Sequence, residues 1–191
     1  MFSGLYVYNN YFYGNPGQGM TSELYLFGSC VVGSQGCLIA PQVFNNVFVN
    51  GSPGCVASPA NSLFLNWGEG ATVENNTFLG CSTSGSFPGN TGVDEYTSTA
   101  ATGSTYYNNI FDDFNIAIYM PNGEGLIAAA NNNDYYSVAN VGKNNTGNYY
   151  STLSGWQGCT SGGCPASHDG SSTSGNPLLT SAYQLTSGLS Q

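Results

Sequence analysis

Positive charge is almost missing from this chain. Lys143 is the single basic residue, set against ten Asp and Glu, and the net charge is −9. So little cationic surface has nothing to set against phosphate, which argues against nucleic acid or anionic membranes as partners. Charge of either sign is scarce, at 6% of residues, where globular domains carry about a quarter. The scarcity does not signal disorder. Disordered chains are poor in aromatics, and 14 Tyr, 10 Phe and 2 Trp are present here. No apolar run reaches the length of a membrane span. No window keeps a 3.6-residue period free of Gly, Asn or Pro, which excludes helical repeats. No G-x-S-x-G elbow occurs, and the Gly-rich "GNPGQG" at 14–19 precedes no helical pattern, so it is no phosphate loop. The opening "MFSGLYVYNN" has neither the basic start nor the apolar stretch of a signal peptide. A mature form or a piece of a longer protein is therefore expected.

What the chain does have is a repeat. "VYNNYF" (7–12) returns as "VFNNVF" (43–48), "VENNTF" (73–78) and "YYNNIF" (106–111), and in degraded form as "ANNNDY" (130–135). The first asparagines, Asn9, Asn45, Asn75, Asn108 and Asn132, are separated by 36, 30, 33 and 24 residues. Such spacing is expected of a solenoid whose outer loops differ in length. Asn tolerates the left-handed backbone conformation, so each pair can bend the chain between two short strands. If each repeat is one coil, equivalent residues stack at about 4.8 Å. Asn9, Asn10, Asn45, Asn46, Asn75, Asn76, Asn108, Asn109, Asn132 and Asn133 are then expected to form amide ladders. Val7, Val43 and Val73, with Phe12, Phe48, Phe78 and Phe111, are expected to point inward. Further strands are expected in "ELYLFG" (23–28), "GCLIA" (36–40), "SLFLNW" (62–67), "VDEYTST" (93–99), "AIYM" (117–120) and "GLIAAANNND" (125–134). The fold class is all-β, as a single domain: coils over 1–137 and an irregular closing segment over 138–191. Lys143, in "VGKNNTG", reads as part of a turn past the last clear coil.

Six cysteines suggest disulfides and an oxidising, extracellular compartment. Cys30–Cys37 and Cys159–Cys164 read as local pairs and Cys55–Cys81 as a longer one. Spacing leaves the connectivity open, with zinc as the rival use of Cys159 and Cys164.

The repeated V-x-N-N-x-F bends over residues 5–137 resemble right-handed parallel β-helix proteins of the pectin-lyase-like superfamily. Residues 148–191 are similar to the closing segment of secreted bacterial members, with Trp156, His168, Asn176-Pro177-Leu178 and Tyr183-Gln184-Leu185 in the matching places. The resemblance implies a secreted, carbohydrate-associated protein that binds ligand along an exposed strand face. His168 is expected to be structural. Lyases of the superfamily use Arg or Lys near the cleft, and this chain has no Arg. Degradation would therefore rest on carboxylates, which hydrolases hold about 5–5.5 or 6.5–9.5 Å apart.

Candidate catalytic residues are accordingly Asp94, Asp112 and Asp113, and candidate substrate-binding residues are Glu23, Trp67, Tyr96 and Tyr119. Asp112 falls three places after the second Asn of its repeat, an outward position equivalent to Tyr13, Val49, Leu79 and Tyr136. Strand alternation puts Asp94 and Tyr96 on one face and Glu95 on the other. No cofactor is implied, and Ca²⁺ is the one metal such acids would suit. Two functions remain open. The first is polysaccharide binding or carboxylate-based degradation. The second is a non-enzymatic structural or adhesive solenoid that self-associates through its open coil ends, where unpaired strand edges invite pairing.

Overall fold

The computed structural model describes residues 2–13, 22–27, 38–49, 61–66, 70–81, 90–96, 102–121, 123, 125–165 and 168–179. Three stacks of short strands account for most of them. After β1 (Phe2–Ser3), the chain makes a first passage through β2 (Tyr6–Tyr8), β3 (Tyr11–Tyr13) and β4 (Ser22–Phe27). After β5 (Leu38–Ile39) comes a second, β6 (Gln42–Phe44), β7 (Val47–Val49) and β8 (Asn61–Asn66). A third follows through β9 (Thr72–Glu74), β10 (Thr77–Leu79) and β11 (Thr91–Tyr96). Then come β12 (Ser104–Tyr107), β13 (Ile110–Asp112) and β14 (Ile116–Tyr119), and after them β15 (Ile127–Asn131), β16 (Asp134–Tyr136) and β17 (Asn140–Lys143). Each passage adds one strand to each of three parallel sheets, ordered β2-β6-β9-β12-β15, β3-β7-β10-β13-β16 and β4-β8-β11-β14-β17. The result is all-β and solenoid-like. Lys143 lies inside this pattern, since β17 pairs in parallel with β14, so the regular part runs past residue 138.

The two asparagines of each pair divide the labour. Asn9, Asn45, Asn75, Asn108 and Asn132 hold φ of 55–56° and are exposed. They make the corner between the first and second sheets and do not take part in the ladder. The second asparagine carries the ladder. Asn10 Nδ2 donates to Asn46 Oδ1, Asn46 to Asn76, Asn76 to Asn109 and Asn109 to Asn133, all at 3.0–3.1 Å. Each Oδ1 also accepts the backbone N–H of the Asn before it. Each Nδ2 from Asn46 onward also donates to the strand of the passage before, at Val7 O, Val43 O, Val73 O and Tyr106 O. Asn46, Asn76, Asn109 and Asn133 are each 1% exposed. A buried amide is tolerated when its donors and acceptors are filled, and here the fold fills them.

Beside the ladder runs a column of rings. Phe12, Phe48, Phe78, Phe111 and Tyr135 stack face to face with centroids 4.7, 4.7, 4.9 and 5.4 Å apart. The spacing follows from the distance between neighbouring strands. Val43 and Val73 form a second inward column, continued by Tyr106 and Ala130.

The last passage is closed by the C-terminal residues. β18 (Tyr149–Tyr150) adds antiparallel to β17, and α1 (Leu153–Gln157), N-capped by Thr152, lays Trp156 over Gly142. Cys159 and Cys164 form a disulfide. Cys81 is also disulfide-bonded, while Cys30, Cys37 and Cys55 lie outside the described residues. No described helix is long and apolar enough to cross a membrane. The chain then returns to the end of the stack, where Thr173 bridges Asp134 in parallel. His168 is buried here, 3% exposed, with Nδ1 3.0 Å from Pro165 O and its ring edge-on to Trp156.

Candidate functional site

The outer face of the third sheet gathers one row of unusual side chains. Strand register aligns Tyr25 with Phe64, Phe64 with Asp94, Asp94 with Tyr119, Tyr119 with Lys143, and Lys143 with Tyr149. Alternation turns the flanking residues inward, so Leu24, Leu63, Val93 and Ile118 build the core behind the row. Tyr25 and Tyr149 are 47% and 46% exposed. The Tyr25 and Phe64 rings lie 4.8 Å apart, and Tyr96 extends the patch with its centroid 6.3 Å from Phe64. Asn66, aligned with Tyr96, donates to the Tyr25 hydroxyl at 2.6 Å.

Asp94 stands in the middle. Its Oδ2 accepts from Asn61 Nδ2 at 3.1 Å, and its Oδ1 is buried without a hydrogen-bond partner. Burial raises its pKa to about 7, with Glu95 adding to the rise and Asn61 and Lys143 opposing it. Near neutral pH this side chain can therefore give or take a proton. Burial also raises Tyr119, helped by Asp94 and Tyr149. The one cation, Lys143, is 4% exposed. Its Nζ donates to Met120 O at 3.1 Å and lies 4.7 Å from the centre of the Tyr119 ring. Burial lowers its pKa, and Asp94 partly restores it.

The remaining sequence candidates fall elsewhere. Both carboxylate oxygens of Glu23 are buried, so this residue does not present its charge on the face. Trp67 lies outside the described residues. Glu95 points inward, 0% exposed, and accepts from Ser104 Oγ at 3.1 Å and from the Tyr106 hydroxyl. Asp112 lies on the second sheet, in register with Leu79 and Tyr136. Its pKa is raised to about 6 by burial, then by Asp113 and Asp134. Asp113 sits at a corner with φ of 64°. The fold thus brings Asp94, Tyr96 and Tyr119 together and leaves Asp112 and Asp113 on another side. Among the described residues, the carboxylate acting on Asp94 is the inward Glu95, and no group of three or more His, Cys, Asp or Glu is placed to hold a metal ion.

Sequence reasoning missed Tyr25, Phe64, Lys143 and Tyr149. Alternation within "ELYLFG" and "SLFLNW" carried a signal for the first two. For Lys143 the signal was its distance from Tyr119, 24 residues, which equals the last gap of the Asn repeat.

A row of outward rings with Asp94 and the tethered Lys143 among them, on an all-β, solenoid-like stack of parallel sheets, is the candidate site. No protein-family model matches the chain, and no curated protein or solved structure matches it either.

Proposed function

We propose that this chain is a secreted, right-handed parallel β-helix of the pectin-lyase-like type, built of five coils, that binds polysaccharide along the outer face of its third sheet. The observation that carries the reading is the register-aligned row Tyr25–Phe64–Asp94–Tyr119–Lys143–Tyr149. Rings in a line across successive strands offer stacking platforms to consecutive sugars, with polar groups beside them. Binding is favoured over hydrolysis because Asp94 has no outward carboxylate partner among the described residues. The Cys159–Cys164 disulfide suits an oxidising compartment. A glycan array on the intact chain, with reducing-sugar release on the bound glycans, tests the reading. Binding that Phe64→Ala and Tyr119→Ala weaken, without sugar release, is the expected result. Failure to bind any glycan overturns it.

One observation supports the second reading, a self-associating module. Tyr6, Tyr8, Tyr11 and Tyr13 are each 52–57% exposed on β2 and β3. The outer edges of these strands pair with no other among the described residues. Tyrosine-rich edges of this kind suit association. Light scattering across a concentration series, with Tyr11→Lys as the disrupting variant, checks it. A monomer at every concentration removes it.

A further inference from the structure

The polar chemistry of the row bears on which polysaccharides it takes, given the proposal that it takes one. A polyuronate carries a carboxylate on each sugar, and proteins usually meet such groups with Arg forks or free Lys. This chain has no Arg, and its single Lys is buried, bonded to Met120 O and placed over Tyr119. Its charge is committed within the fold. The total charge of −9 then repels an acidic chain at distances within the Debye length.

The centre of the row points the same way. Asp94 lies there between Phe64 and Tyr119. Once ionised it sets a like charge against a uronate carboxylate, with no further cation on the face to offset the repulsion. A neutral sugar meets no such cost. The exposed Tyr25 and Tyr149 rings, with Phe64 and Tyr96 between the strands, supply apolar area that makes no demand on charge.

We propose that the third-sheet face selects uncharged polysaccharides and rejects polyuronates, with the rings holding the sugar faces and Asp94, with the chain's net negative charge, repelling uronate carboxylates. The inference rests on the carbohydrate-binding reading. Affinity electrophoresis of the intact chain in gels holding a neutral β-glucan, xylan, galactomannan, polygalacturonate or alginate tests it, at low and high salt. Retardation by at least one neutral glycan, little changed by salt and weakened about tenfold by Phe64→Ala or Tyr119→Ala, is the expected result. Far-UV circular dichroism establishes that each variant is folded. Tighter binding to polygalacturonate or alginate than to every neutral glycan overturns the selectivity and leaves carbohydrate binding standing. Neutral-glycan binding unmoved by both ring variants overturns the assignment to this face. No retardation by any glycan overturns the carbohydrate reading and this inference with it.

Discussion

Asp169 takes the ladder bond of Asn133: Asn133 Nδ2 donates to Asp169 Oδ1 at 3.0 Å, where each earlier Asn found another Asn. Ser172 completes the substitution by accepting the Asn133 backbone N–H at 2.9 Å and donating to Asp169 Oδ1 at 2.5 Å. The other oxygen, Oδ2, accepts from Trp156 Nε1 at 2.9 Å and the Tyr135 hydroxyl at 3.1 Å. One buried carboxylate thus ends both the amide ladder and the ring column and fastens α1 to them.

Four donors converge on Asp169, so its replacement by Asn is not conservative. An amide has one acceptor oxygen, and its NH₂ would confront two of the donors. Leaving a buried polar group unsatisfied costs about 1–3 kcal/mol. Asp169→Asn is expected to lower stability by about 2–4 kcal/mol in urea denaturation. A loss below about 0.5 kcal/mol would show that the end of the ladder does not depend on this carboxylate.

The division of labour within each Asn pair makes opposite demands at neighbouring positions. Asn109 fills bonds to Asn76, Val73 and Asn133, and Asn109→Ala is expected to cost about 3–5 kcal/mol. Asn108 supplies a positive φ of 55°. Asn108→Gly is expected to be nearly neutral, and Asn108→Ala to cost about 1–2 kcal/mol. Chemical denaturation of the three variants checks the order, and equal losses at 108 and 109 would contradict it.

The Asn repeat was legible because a ladder demands the same side chain at the same place in every passage. The register of Asp112 with Leu79 and Tyr136 was legible by counting from that repeat, although the side chain at that place differs from passage to passage. The site was less so, because the third sheet carries no repeated motif. Lys143 looked like part of a turn because Gly142 precedes it and Asn144–Asn145 follow. Gly142 is there because Trp156 covers it, a reason that lies outside the local sequence. Glu95 and Tyr106 likewise break two inward columns at separate places. Only the fold shows that the two exceptions satisfy each other.

Asp94 gives stability a pH dependence of known sign. Its folded pKa, about 7, lies above the unfolded value of about 3.9. Between these values the folded chain holds a proton that the unfolded chain has released, so stability falls as pH rises from about 4 to about 7. Asp112, raised to about 6, adds in the same direction, with its partial exposure reducing the effect. Asp94→Asn should match the parent near pH 4 and exceed it by about 1–3 kcal/mol near pH 8. Thermal melts across that range check it, and a parent-like pH slope in Asp94→Asn would refute the assignment.

Gly142 tests whether Trp156 seats the closing segment. A Cβ at 142 would lie 2.5 Å from Trp156 Cζ3 and 2.6 Å from Cη2, closer than packed carbons approach. The ring cannot yield without loss, because it is 0% exposed and its Nε1 is bonded to Asp169. Gly142→Ala should therefore displace the indole, weaken its bond to Asp169 and destabilise the fold by about 1–3 kcal/mol. In a Trp67→Phe background, fluorescence reports Trp156 alone. A red-shifted emission with earlier unfolding is expected in Gly142→Ala. An unchanged spectrum with unchanged stability would mean that the indole is free to move aside, and that α1 is held by its other contacts with β17 and β18 instead.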